Sequence, residues 1–228
     1  MKFSVISVCS NLPPTLAEMV RSVKAQKADV EHIVVDHGYE NPDYSLFNTE
    51  DHRVSHVEFL PYAWVYEAWN RGLALATGDV VALVHGCDVL ADSGVFTEVE
   101  RTLDRTGADA VYGDLAYVAE DDPDRMMRHW RTGHWTDANL SMGWLPPLPA
   151  FFSRREIYER AKQRNGEYFN ISLQTDPVCD LLTRLLGRMH ISVAYLPRVL
   201  TKVRVGSPSS QILANMLSQG SSDNMRNY

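Results

Sequence analysis

The chain has 228 residues, of which 45% are hydrophobic and 22% charged, as is ordinary for a globular protein. Its formal net charge of −7 argues against broad electrostatic binding to nucleic acid or to an anionic membrane. The three cysteines, Cys9, Cys87 and Cys179, form no CxxC pair, which indicates a reducing compartment and no disulfide framework.

The first half of the chain predicts strands and helices in alternation. Predicted strands cover Phe3–Cys9, His32–Asp36, Val80–Val84 and Ala108–Tyr112, and predicted helices cover Thr15–Gln26, Val65–Thr77 and Glu98–Arg105. Thr15 is expected to cap the first helix, and Gly78 to end the second in a left-handed conformation. This alternation is typical of a mostly parallel sheet with helices on both faces.

Polar residues follow three of these strands. They are Cys9-Ser10-Asn11, Asp36-His37 and His85-Gly86-Cys87-Asp88. Ligands of parallel sheets bind outside the carboxyl ends of the strands. We therefore expect the three loops to converge on one crevice.

The second half of the chain is less regular. Helices are predicted at Arg154–Lys162 and Val178–Gly187, and strands at Ile191–Tyr195 and Val199–Val205. Residues 211–228 become increasingly polar and predict a mobile tail. No linker or repeat divides the chain, so residues 1–228 predict a single domain.

Several sequence motifs, each unspecific alone, occur together in one order. They are Val5–Asn11, Ile33–Gly38, Tyr66–Asp79, Val111–Asp114, Pro146–Arg155, Asp180–Arg184 and Val205–Ser210. In this order they resemble the inverting family 2 glycosyltransferases of the bacterial surface-polysaccharide kind. The resemblance implies a GT-A fold with a Rossmann-like central sheet. It also implies a nucleotide-sugar-binding half at 1–115, an acceptor-binding half at 116–210 and the tail at 211–228.

The resemblance implies a donor site for a nucleotide-diphosphate sugar. Asp36 matches the acid that hydrogen-bonds the base or ribose, and Cys9, Ser10 and Asn11 would border the base pocket, largely through backbone groups. Two further residues, Asn70 and Arg71, would face the nucleotide. For Arg71 an exposed helix position is an equal alternative.

The family's metal site is an acidic turn that holds Mg²⁺ or Mn²⁺ through hard oxygen ligands. Here the turn reads His85-Gly86-Cys87-Asp88, so Asp88 is the one acid that is kept. A divalent cation is therefore expected to bind weakly, if the site is used, with Asp88 as its ligand.

The family's catalytic base opens a helix matched here by Val178–Gly187. An ungapped match places Val178 on the base itself, and a valine cannot accept a proton. Asp180 falls on the second acid of the motif, and Asp176 lies two residues before Val178. Asp176 and Asp180 are the candidate catalytic residues, although Asp176 before Pro177 also suits a helix cap.

The sequence thus predicts a glycosyltransferase that moves a sugar onto a glycan or lipid-linked acceptor. The alternative is a protein of the same fold that binds nucleotide sugars but has lost transfer. A nucleotidyltransferase is disfavoured because Cys9–Pro14 is not a Gly-rich phosphate loop. No apolar run approaches the roughly 20 residues needed to span a bilayer. A cytoplasmic location is expected, and peripheral membrane contact is compatible with it.

Overall fold

The computed structural model describes residues 1–39, 43–48, 54–173 and 177–222. The strands are β1 (Lys2–Cys9), β2 (Asp29–Asp36), β3 (His56–Phe59), β4 (Val80–His85), β5 (Val89–Leu90), β6 (Ala110–Val118), β7 (Met126–Trp130), β8 (Phe151–Arg154) and β9 (Val193–Arg204). The α-helices are α1 (Leu16–Lys24), α2 (Val65–Leu75), α3 (Val95–Thr106), α4 (Asp137–Ser141), α5 (Arg155–Ala161), α6 (Pro177–Thr183) and α7 (Pro208–Ser222). A π-helical turn, Arg184–Arg188, continues α6.

The described strands form one mixed sheet in the order β3-β2-β1-β4-β8-β6-β9-β5, and β7 pairs with the carboxyl-terminal part of β6. The strands β3, β2, β1 and β4 are parallel to one another. Their continuous apolar runs are buried because helices cover both faces. This half of the fold confirms the predicted parallel sheet.

Two apolar layers hold the helices to the sheet. On one face α1 and α3 pack against β1 and β4, and the rings of Phe3 and Phe96 stack with their centroids 4.5 Å apart. On the other face α2, α5 and α6 surround a larger cluster that includes Trp69, Ile157 and Leu181. Burial of these side chains is the main stabilising term of both layers.

The second half of the sheet differs from the prediction in its strands. The short strand β8 lies antiparallel between β4 and β6, and β7 folds back on β6. The two strands predicted around Pro197 are one strand, β9, which runs parallel to β6 with register shifts near Gly113 and Asp114. These irregularities accommodate a proline that a regular ladder would exclude.

Three local predictions are corrected. Thr15 stands at the start of α1 but makes no side-chain cap. Gly78 does not have a positive φ. A Cβ at this position would lie 2.7 Å from the Ser4 backbone nitrogen, so the close approach of the two chain segments requires glycine. Of the predicted tail at 211–228, residues 211–222 belong to helix α7, and residues 223–228 lie outside the described residues. Among the residues described, no helix has the length and apolar character needed to cross a membrane.

Candidate nucleotide-sugar site

The three polar loops converge as predicted. The register pairs Cys9 with Asp36 across β1 and β2, and Val8 with His85 across β1 and β4. Because the three strands are parallel, their carboxyl ends open onto the same edge of the sheet. The loops that follow them lie side by side at this edge, where the crevice is predicted.

Asp36 is the central acid of this crevice. Its Oδ1 accepts hydrogen bonds from the backbone N–H groups of Asn11, at 3.0 Å, and Gly38, at 2.9 Å. Its Oδ2 is buried and has no hydrogen-bond partner in the described structure. The buried hydroxyl of Tyr44 lies beside Asp36, and burial together with the Asp36 charge raises the pKa of this phenol. The carboxylate thus joins two loops through one oxygen and keeps the other free.

The loop after β1 approaches Asp36 closely. Asn11 has a left-handed backbone, with φ 56°, and its side-chain oxygen accepts the N–H of Tyr39 at 3.0 Å. A Cβ at Gly38 would lie 2.0 Å from that oxygen, so this position requires glycine. Ser10 is exposed, whereas Cys9 is fully buried and its thiol pKa is raised by burial. Backbone groups and Ser10 therefore border the opening.

The predicted nucleotide contacts on α2 engage other parts of the fold. The Asn70 side chain donates to the Phe169 carbonyl at 3.0 Å and accepts the N–H groups of Tyr168 and Phe169. Arg71 donates to Glu58 on β3 at 2.8 Å. Asn70 thus anchors the chain before α6, and Arg71 forms a surface ion pair.

Asp88 is fully buried. Its Oδ1 accepts the hydroxyl of Ser209, from α7, at 2.7 Å, and its Oδ2 is buried without a partner among the described groups. Burial raises the pKa of Asp88 to about 7. Beside it, burial lowers the pKa of His85 to about 4, and His85 Nδ1 lies 3.2 Å from Cys87 Sγ.

The donors around Asp88 do not form a divalent-cation site. In the described ranges, no three His, Cys, Asp or Glu side chains converge in a way that would hold a metal ion. His85 and Cys87 are soft ligands, and the one acid is shielded by Ser209. The geometry therefore offers Mg²⁺ or Mn²⁺ too few accessible oxygens.

The position matched to the catalytic base is part of the core. Val178 is fully buried and lines a narrow, mainly apolar cavity beside the metal-turn position. The other residues of its wall include Trp69, Leu83, His85, Leu148 and Leu213. Helix α7 borders this space on one side through Ser209, Ile212 and Leu213.

Of the two candidate catalytic acids, Asp180 lies in the described part of the chain. Asp180 accepts a hydrogen bond from Arg184 Nε at 2.8 Å, and Arg184 also donates to the carbonyls of Ala161 and Tyr168. Asp180 is therefore held in a mostly buried ion pair. Asp176 lies outside the described residues.

Sequence reasoning missed the residues that close the crevice. Ser209 belongs to the motif Val205–Ser210, in which no residue was given a role, and Tyr44 to a loop with no assigned role. Buried Arg204 was also missed: it donates to the carbonyls of Cys87 and Glu120 and pairs with Glu18. The apolar spacing of Leu213 and Met216 was the available signal for α7.

Comparisons with known proteins agree with this fold. The model of the family "Glycosyl transferase family 2" matches residues 4–173. Over 106 residues the chain is 28% identical to "uncharacterized glycosyltransferase Rv1514c" of Mycobacterium tuberculosis, a match that covers 46% of this chain and 40% of the relative. The chain thus spans less than half the length of this curated relative.

Solved glycosyltransferases share the architecture at low identity. The S. aureus TarS fragment 1–349, in complex with UDP-GlcNAc, superposes with a TM-score of 0.67 at 16% identity, covering 99% of this chain and 72% of that one. Full TarS is covered to 39%. PcManGT from Pyrobaculum calidifontis, a mannosyltransferase in complex with GDP-Man and Mn²⁺, gives 0.66 at 17% identity, with coverage of 99% and 64%. The fold is GT-A, and the chain belongs to glycosyl transferase family 2.

Proposed function

We propose that the crevice binds the nucleoside diphosphate of a sugar donor. The observation that carries the proposal is Asp36 Oδ2, a buried carboxylate oxygen without a hydrogen-bond donor at the junction of three strands. Leaving such a group unsatisfied costs about 1–3 kcal/mol, and an N–H or O–H of a bound nucleoside would satisfy it. That neighbours of the same fold are in complex with UDP-GlcNAc and GDP-Man supports a nucleotide-sugar ligand.

Calorimetry with UDP, GDP and dTDP, each with Mn²⁺ and with EDTA, tests donor binding. We expect at least one nucleotide to bind. Since Ser209 shields Asp88, chelation should change the affinity little. Failure of every nucleotide at millimolar concentration would overturn the proposal. A loss of binding in EDTA that micromolar Mn²⁺ restores would instead show that the metal site is complete.

The bound donor serves inverting transfer to a glycan or lipid-linked acceptor. In this reaction a carboxylate takes the proton of the acceptor hydroxyl, whose oxygen bonds to the anomeric carbon as the bond to the nucleoside diphosphate breaks. Asp176 and Asp180 are the proposed bases. Asp180 would have to leave Arg184 to act, so Asp176 is the first choice.

The variants Asp176→Asn and Asp180→Asn test these roles, with transfer and donor binding measured separately. Loss of a general base lowers the rate by about 10²–10⁴ and leaves donor affinity nearly unchanged. Asp180→Asn should also lower stability because it leaves Arg184 without its carboxylate. Full turnover in both variants would remove both residues from the mechanism.

A second candidate function is donor binding without transfer. Two observations favour it: the base position is a buried valine, and the remaining acid of the metal turn is sealed. Clear nucleotide-sugar binding by the wild type, with no donor consumed across a broad set of acceptors, would support this function. The chain would then act as a binding partner or regulator.

A further inference from the structure

Two exposed tyrosines stand at the rim of the Asp36 crevice. The Tyr62 residue is 81% exposed and Tyr39 is 61% exposed, although large aromatic side chains are usually buried. Their backbones are adjacent, because the Tyr62 N–H donates to the Gly38 carbonyl at 3.1 Å. The Gly38 N–H in turn donates to Asp36 Oδ1, so the backbones of both tyrosines are close to the Asp36 carboxylate.

Tyr62 is also strained. Its φ of 59° lies in the left-handed region, which costs a residue with a Cβ about 1–2 kcal/mol. Asn11 and Leu12, on the opposite loop of the same crevice, have positive φ as well. Strain of this kind persists where the surrounding structure enforces it, and it concentrates at functional sites.

In the part of the chain that the structure describes, the Tyr62 ring adds little to the packing of the fold. Its backbone bond to Gly38 needs only an N–H group, which glycine would supply without strain. The ring is mostly in solvent and so contributes little to the core. A ligand that binds at the surface beside Tyr62 would explain a large aromatic side chain at this position.

We propose that Tyr62, together with Tyr39, forms the stacking surface for the nucleobase of the donor. This inference rests on the proposed function and adds the residues that hold the face of the base. The division of roles is physical: Asp36 offers one hydrogen-bond acceptor to the edge of the base, and the tyrosines offer aromatic faces. Base–aromatic stacking is sequence-tolerant, since every base has a π-face.

Replacement of Tyr62 separates this role from a structural one. Tyr62→Gly removes the ring and the strain, so the melting temperature should hold or rise while UDP affinity falls about 5- to 100-fold. Tyr62→Phe keeps the ring and should bind UDP like the wild type. Inorganic pyrophosphate, which has no base, should bind both variants and the wild type equally.

His190→Gly is the matched control. His190 is the one other non-glycine with positive φ among the described residues, and it is exposed. It precedes β9, which is parallel to β6, so it lies at the sheet edge opposite the crevice. Its replacement should leave UDP affinity unchanged.

The outcomes distinguish the inference from the proposed function. If the wild type binds no nucleotide, the proposed function fails. If the wild type binds UDP and Tyr62→Gly binds it equally well, the stacking role is wrong while donor binding stands. Equal weakening of UDP and pyrophosphate in Tyr62→Gly would also overturn the inference, since the loss would then not depend on the base.

Discussion

At the scale of single residues, Asp36 has two separable duties. One carboxylate oxygen joins the loops after β1 and β2, and the other remains buried without a donor. Two other positions matched to the family's site lie in the protein interior. Val178 is part of the hydrophobic core, and Asp88 accepts a hydrogen bond from Ser209. In the proposed function, donor binding depends on Asp36 and transfer on Asp176 or Asp180, so the two can be tested with different variants.

Asp36→Asn tests the free oxygen alone. The asparagine amide oxygen can still accept the two backbone N–H groups, whereas its NH₂ replaces the free acceptor with a donor. We expect the fold to persist and nucleotide binding to weaken by about 1.5–3 kcal/mol. Calorimetry and a melting curve on the same sample measure both effects.

Asp29→Asn, at the exposed start of the same strand, is the control and should bind like the wild type. Undiminished affinity in Asp36→Asn would show that the free oxygen makes no contact with the ligand.

At the scale of elements, helix α7 packs beside the Asp88 and Val178 positions. Leu213 and Met216 are buried in the large core cluster, and Ser209 reaches Asp88 from the start of the helix. The helix lies beyond residues 4–173, which the family model matches. Val178 also lies beyond those residues, so both walls of this space are outside the matched region.

Leu213→Ala tests how firmly α7 is held. Truncation of a buried leucine costs about 2–5 kcal/mol, and each kcal/mol lowers the melting temperature of a chain this size by about 2–4 °C. Hydrogen exchange in residues 208–216 should accelerate as well. Gln211→Ala, exposed on the same helix, is the control. An unchanged melting temperature would mean that α7 is not packed as described.

Some strands could be predicted from the sequence and others could not. Strands β1, β2 and β4 were predictable because their continuous apolar runs admit few other placements. Strand β7 was not, since its side chains are mostly exposed and its pairing with β6 depends on distant residues. The helix position of Asp180 was predicted, but its partner Arg184 was not, because rotamers are decided by tertiary contacts.

For the whole molecule, the buried side chain of His32 predicts one contribution to the loss of stability in acid. His32 is buried against the Ser7 hydroxyl, which lies 2.9 Å from its Nε2, and burial lowers its pKa from 6.5 to about 3. The folded state therefore keeps this ring neutral, while the unfolded chain takes up a proton below pH 6.5. Since the unfolded state binds more protons, stability is lost as the pH falls through this window.

Chemical denaturation at pH 7 and pH 5 measures this effect. A histidine with these two pKa values contributes about 2 kcal/mol of the stability lost between the two pH values. His32→Gln cannot titrate, so its stability should fall by about that much less over the same interval, even if it is less stable at pH 7. An identical pH dependence in wild type and His32→Gln would mean that His32 is protonated in the folded protein, and its burial against Ser7 would have to be abandoned.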